Sequence, residues 1–196
     1  MKRLCIMLGV VIMVVGLSVS SQAALINMGD GTVYDTVSQL SWLINGNTAG
    51  TMNWSSAMAW ANSLNSGSGF AGITNWRLPL ADPACGTSFN CTASDMGSLY
   101  YTALGNTQFS GPANTGPFLN VQPSDYWTGT EYVPGSQAWE FYFGNGLQFT
   151  NFESNAFYAW ADAPGPRTPV PEPGTLLLLG TGGLAGLITL RKKLAR

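Results

Sequence analysis

Two apolar runs at the ends of the chain confine whatever folds as a globule to the stretch between them. In the final 27 residues, Val170-Pro171-Glu172-Pro173-Gly174-Thr175 leads into an apolar run from Leu176 to Leu190, and Arg191-Lys192-Lys193-Leu194-Ala195-Arg196 closes it. The prolines oppose helix and sheet and leave an extended segment that a protease can enter. The apolar run can partition into a bilayer, and Arg191, Lys192, Lys193 and Arg196 favour its cytoplasmic side. Sixteen residues from Thr175 to Leu190, at about 1.5 Å each, reach roughly 24 Å against a hydrocarbon core of about 30 Å. A permanent anchor is usually longer; a segment awaiting removal need not be.

This order of motif, apolar segment and basic tail resembles the PEP-CTERM sorting signal of bacteria that export polysaccharide. The resemblance implies an exosortase-type protease that cuts near Val170-Pro171-Glu172-Pro173 and passes the protein toward the cell surface. The N-terminus agrees. Lys2 and Arg3 precede the apolar stretch Leu4 to Leu17, and Ser18-Val19-Ser20-Ser21-Gln22-Ala23 follows. That pattern is a signal peptide with Ser21 and Ala23 placed for cleavage after Ala23; the rival reading is an uncleaved anchor. The expected organisation is a signal peptide over 1–23, an exported domain over 24–165 and a Pro-rich linker over 166–175. A transmembrane segment over 176–190 and a basic cytoplasmic tail over 191–196 complete it.

Between the ends, nine acidic residues face two basic ones, Arg77 and Arg167, for a formal charge of −7. Such a domain cannot build the clustered Lys and Arg surface that nucleic acid requires. The chain has no histidine, which removes Ser-His-Asp and Cys-His nucleophile pairs and His-ligated zinc. Cys85 and Cys91 are the cysteines of the exported stretch. In an oxidising compartment, a pair at this spacing without a C-x-x-C motif reads as a structural disulfide.

The pattern predicts an α+β fold. Thr32-Val33-Tyr34 and Gln39 to Ile44 read as early strands. Asn53 caps a helix through Trp54, Ala57, Met58, Ala61 and Leu64, and Ser94 or Asp95 caps a second through Met96, Leu99, Tyr100, Ala103 and Leu104. Tyr126 to Glu131, Ala138 to Phe143 and Leu147 to Thr150 form a late antiparallel meander with Gly144-Asn145-Gly146 as a hairpin turn. Ala156 to Trp160 reads as its closing strand.

A second resemblance rests on an ordered set of segments. Gly31-Thr32-Val33 with Asp35 precedes Leu40-x-Trp42, and Trp54-x-x-Ala57 opens the first helix. Trp76-Arg77-Leu78-Pro79 precedes the second helix, and Tyr126-Trp127-Thr128-Gly129-Thr130 precedes Ala138-Trp139 and the Gly-Asn-Gly turn. The set, spanning about Gly29 to Trp160, resembles the Lcl C-terminal domain family. That resemblance implies a C-type-lectin-like fold and surface adhesion through glycosaminoglycans. The chain departs from the family pattern in ending on Ala161-Asp162-Ala163 in place of a Val-Arg pair. Its acidity also suits a neutral ligand, or none, better than a sulfated one.

Candidate site residues each carry a structural alternative. Arg77 clamps a ligand carboxylate or pairs internally with an Asp or Glu. Glu131 and Glu140, on neighbouring expected strands, form an acid–base pair for glycoside cleavage or are ordinary solvated or paired carboxylates. Asp125, Glu131, Glu140 and Asn145 supply oxygens for Ca²⁺, although their spacing matches no calcium loop. Trp127, Trp139 and Trp160 form a sugar-stacking platform or belong to the core. The expected role is non-catalytic adhesion or glycan binding in a polysaccharide-rich envelope or biofilm, with no required cofactor. The alternatives are a carboxylate-based enzyme acting on glycans and a purely structural matrix protein.

Overall fold

The computed structural model describes residues 25–132 and 135–167. The expected signal peptide, the membrane segment, the basic tail and all but the first two residues of the linker lie outside them. Among the described residues, no helix is long and apolar enough to cross a membrane.

The chain opens with three short strands, β1 (Leu25–Asn27), β2 (Thr32–Asp35) and β3 (Leu40–Leu43). Asp35 makes the β2–β3 turn: its carboxylate accepts from the Val37 N–H at 2.9 Å and the Ser38 hydroxyl at 2.7 Å, the local bonding that suits Asp to turns. After β4 (Thr51–Met52) comes α1 (Trp54–Ser63). Asn53 caps it by accepting from the Ser56 N–H at 2.9 Å, which satisfies one of the helix's orphan donors. Ala57 and Ala61, four apart on one face, are its buried residues.

The second helix differs from expectation. Ser94 caps a single α-turn, α2 (Asp95–Gly97), and the chain then widens into a π-helix over Ser98–Ala103. The Leu104 N–H reaches back five residues to the Leu99 carbonyl at 2.9 Å, and the Tyr100 carbonyl is taken by the Asn106 N–H at 3.0 Å. Gly105, at φ 66°, provides the left-handed residue that ends it. Gly97 has no substitute here, because a Cβ would collide with the Cys91 carbonyl.

The late meander is present as β5 (Asp125–Tyr132), β6 (Gln137–Tyr142) and β7 (Leu147–Phe152), antiparallel in order. Its closing strand is shorter than expected: β8 (Phe157–Tyr158) runs parallel to β5 and antiparallel to β4. The last element, β9 (Asp162–Pro164), leaves that sheet and pairs with β3. The sheets therefore read β1-β2-β3-β9 and β4-β8-β5-β6-β7, so the described residues are mostly β with two short helices. Beyond β9, the Gly165 N–H bonds the Gln39 carbonyl at 3.1 Å. Arg167 then pairs with Asp30 at 2.7 Å. Burial alone would raise the Asp30 pKa, but the Thr32 hydroxyl and Arg167 hold it below the ordinary value.

The core is aromatic. Trp160 packs against Trp42, Phe118, Tyr126 and Phe143 at centroid distances of 5.0–5.8 Å. Its indole N–H donates to the Leu43 carbonyl at 2.8 Å, so the ring ties the region between β8 and β9 to β3. Rings of this size supply large apolar area while keeping a polar handle satisfied.

Candidate functional site

Trp76-Arg77-Leu78-Pro79 is a strap across the molecule. The Trp76 ring is buried on Phe70, and the Trp76 N–H donates to the Asn65 amide oxygen at 2.6 Å. The Arg77 N–H and carbonyl exchange hydrogen bonds with Asp162 of β9 at 2.9 and 3.0 Å, and the Pro79 carbonyl accepts from the Gly129 N–H of β5 at 2.8 Å. The guanidinium reaches Asp162 through Nε at 3.0 Å and Asp95, at the start of α2, through a terminal nitrogen at 3.1 Å. Of the two readings for Arg77, the geometry is that of the internal pair. Burial, reinforced by Asp95, pushes the Asp162 carboxyl well above the usual range even with Arg77 beside it.

Glu131 and Glu140 are not brought together as a catalytic pair. In the β5–β6 register Glu140 faces Trp127, a bulge intervenes, and Glu131 faces Ala138. Glu131 is exposed whereas Glu140 is fully buried. The carboxyl that Glu140 does meet is that of Asp125, and the Asn151 amide donates to Glu140 Oε1 at 3.1 Å. Burial and the Asp125 charge raise the Glu140 pKa to about 9. Burial raises Asp125 too, although the neighbouring Glu140 carboxyl opposes the shift. Glu140 therefore keeps its proton at neutral pH, as a desolvated carboxyl beside another carboxyl does, and its second oxygen has no hydrogen-bond partner among the described residues. The register separated the expected pair and made another that the spacing of letters did not show.

The expected Ca²⁺ set is likewise divided. Asp125 and Glu140 share a face of the sheet. The Asn145 amide oxygen, in the hairpin turn, is occupied by the Leu147 N–H at 2.9 Å. Asp82, Cys85 and Cys91 come close enough to suggest a metal group, but the two sulfurs are joined in a disulfide with Cα atoms 5.9 Å apart. The disulfide loop lies along the edge of β7, where Ser88 and Gln148 exchange backbone hydrogen bonds at 3.0 Å in both directions. An edge that would otherwise present free donors and acceptors is thereby covered.

The three tryptophans expected as a platform are core. Trp127 and Trp160 are fully buried, and Trp139 is nearly so. Trp127 donates to the Met52 carbonyl at 2.9 Å and packs on Phe157; Trp139 packs on Tyr132. Their alternation along β5 and β6 reflects burial on both faces of the sheet, which a period-2 pattern cannot distinguish from a solvent-facing row. Two cavities open elsewhere. One of about 500 Å³ lies between residues 71–75 and 163–167 over Ser41; the other, of about 290 Å³, lies between α1 and the Trp76-Arg77-Leu78 strap. Arg77 lines the second; Trp127, Glu131, Trp139, Glu140 and Asn145 line neither.

An acidic, disulfide-bridged α+β domain whose last strand runs directly into a Pro-rich, basic-tailed end is the class these features define. The Lcl C-terminal domain model matches residues 31–161, and the PEP-CTERM protein-sorting motif matches residues 169–193. The chain belongs to the Lcl C-terminal domain family and carries a PEP-CTERM sorting motif. That motif implies export, membrane anchoring before processing, and exosortase as the processing partner. No curated protein and no solved structure matches the chain.

Proposed function

We propose that the exported domain is a non-catalytic binding module that holds a neutral glycan or matrix polymer at the cell surface after exosortase processing. The supporting observation is how the charged groups are used. Arg77 and Arg167 are tied up in ion pairs, and Glu140 is buried against Asp125. What the domain offers to solvent is loops rich in amides, hydroxyls and glycines on a rigid aromatic scaffold, the arrangement in which loops carry recognition. The C-type-lectin-like fold belongs to the same proposal. It is supported by terminal strands that share one sheet, by two short helices and by a loop-rich, disulfide-bearing middle.

The test follows the protein in a host with and without its exosortase, by intact mass and fractionation, and then measures retention of the processed form on surface polysaccharide. A product shortened at both ends, displayed only with exosortase and retained on polysaccharide, is expected. Processing without retention on any glycan would sink the binding reading and leave a structural matrix role. Release of sugar that ceases in Glu140→Gln would instead establish the enzyme.

A further inference from the structure

The surface on which such a ligand would sit is marked by an exposed phenylalanine, Phe109, and a half-buried one, Phe89, beside it. Phe109 is 67% exposed, yet it is held in place from several sides. The Ser110 N–H closes a turn onto the Thr107 carbonyl at 3.0 Å, and the Phe109 N–H donates to the Asn145 carbonyl of the β6–β7 turn at 3.0 Å. From below, the hydroxyl of the fully buried Tyr100 donates to the Thr107 and Gly111 carbonyls at 3.2 and 2.9 Å. Within this turn Phe109 adopts φ 65°, a left-handed conformation that disfavours any residue with a Cβ and that glycine adopts freely. The chain does use glycine at positive φ nearby, at Gly105, Gly111 and Gly116. At 109 it bears the strain of a large side chain and then leaves that side chain in water.

Phe89 stands beside it. Its ring lies 4.8 Å from that of Phe109, tilted by 57°. It is presented by the disulfide loop, which Cys85–Cys91 closes and the Ser88–Gln148 bonds fix to β7. Two independent loops thus bring two rings to one place. The segments that build this end of the molecule, 83–94, 96–124 and 141–152, contain no charged side chain. The carboxylates bounding the first of them are engaged: Asp82, at the foot of the disulfide loop, accepts from the Ala84 N–H at 3.0 Å, and Asp95 is paired with Arg77. Asp125, at the start of β5, alternates to the face opposite Tyr126 and meets Glu140.

We propose that Phe89 and Phe109 form a stacking platform for an uncharged polysaccharide, with the exposed amides of Asn90 and Gln108 bonding its hydroxyls. The inference rests on the binding reading above and gives it a location. A pyranose presents an apolar C–H face that packs on an aromatic ring and a rim of hydroxyls that needs neutral donors and acceptors. A sulfated or uronic polymer would find no cation within these segments. Preorganisation by the turn and the disulfide lowers the ordering cost that weakens shallow binding.

The decisive variant is Phe109→Gly in the full chain in detergent, assayed on an array of neutral glucans, mannans and galactans beside heparin and alginate. Glycine suits the left-handed turn, so the variant should unfold at the same temperature as the parent or higher while losing at least tenfold in affinity for neutral glycan. Phe89→Leu, which keeps apolar bulk but removes a ring face, should lose affinity without unfolding. Unchanged neutral-glycan affinity in Phe109→Gly would overturn this site and leave the binding reading standing. So would a lower unfolding temperature, which would make the ring a structural prop. Wild-type binding confined to heparin or alginate would overturn the neutral platform but not glycan binding. Absence of binding to every glycan would sink both. A Phe109-dependent affinity for phosphatidylethanolamine–phosphatidylglycerol vesicles, with none for glycan, would reassign the rings to the membrane.

Discussion

Glu140 is the residue at which the energetics of the fold are most open to measurement. Its carboxyl keeps its proton in the folded state up to about pH 9, against an ordinary value of 4.5. The folded chain therefore holds a proton that the unfolded chain has lost, throughout that interval. For a raised carboxyl pKa the stabilising contribution is full below the unfolded value and is lost as pH rises toward the folded one. Stability should accordingly fall from about pH 4.5 to about pH 9, at up to about 1.4 kcal/mol per pH unit for one proton. Glu140→Gln, which keeps the side chain's shape but has no proton to release, should flatten that slope in urea titrations at several pH values. An unchanged slope would show that the proton resides on another group, Asp162 being the first to examine because burial raises it in the same direction. The sequence showed that Glu140 lay on a strand, but not its partner. The β5–β6 bulge between Trp127 and Glu131 shifts the register, and strand register is a tertiary property that one strand's letters do not encode.

At the scale of elements, legibility followed the strength of local chemistry. α1 was readable to within a residue because an asparagine cap and a four-residue alanine spacing act locally. Removing the cap with Asn53→Ala should cost about 1 kcal/mol in denaturant unfolding; no loss would mean that the Trp54 N–H bond to the Glu153 carbonyl, at 3.0 Å, already fixes the helix start. The meander was readable from its Gly-Asn-Gly turn and alternating apolar residues. β1, β4 and β9 were not, since two or three residues carry no period, and their pairing is decided by partners far along the chain. The π-widening after α2 was equally hidden: Met96, Leu99, Tyr100, Ala103 and Leu104 fit an α-helical stripe. The distinction lies in which carbonyl each terminal N–H finds.

For the molecule as a whole, Arg77 joins parts that are distant in sequence. It binds β9 of one sheet, the first turn of α2 and, through its neighbour Pro79, β5 of the other sheet. Arg77→Ala would leave the fully buried Asp162 without its cation. Breaking a buried pair in this way costs about 3–5 kcal/mol, and the partial exposure of Arg77 brings the expectation to roughly 2–4 kcal/mol by urea unfolding. Arg77→Ala/Asp162→Asn should lose less than Arg77→Ala alone, because the uncompensated charge is gone. Equal losses would mean that Asp162 is already neutral beside Asp95. The C-terminal sorting motif was legible from composition and order because sorting signals are read as linear sequence. The aromatic platform was not, since Phe89 and Phe109 meet only through a disulfide loop and a tight turn. The placement of β9 sets a clock. Leu40, near the start of the domain, finds its outer neighbour only in Pro164, a few residues before the sorting motif. Contacts of such separation form late, because the intervening chain must first be brought together. The sheet therefore stays open until nearly the whole domain has crossed the membrane, and the fold shuts just as the tail that will hold it there arrives.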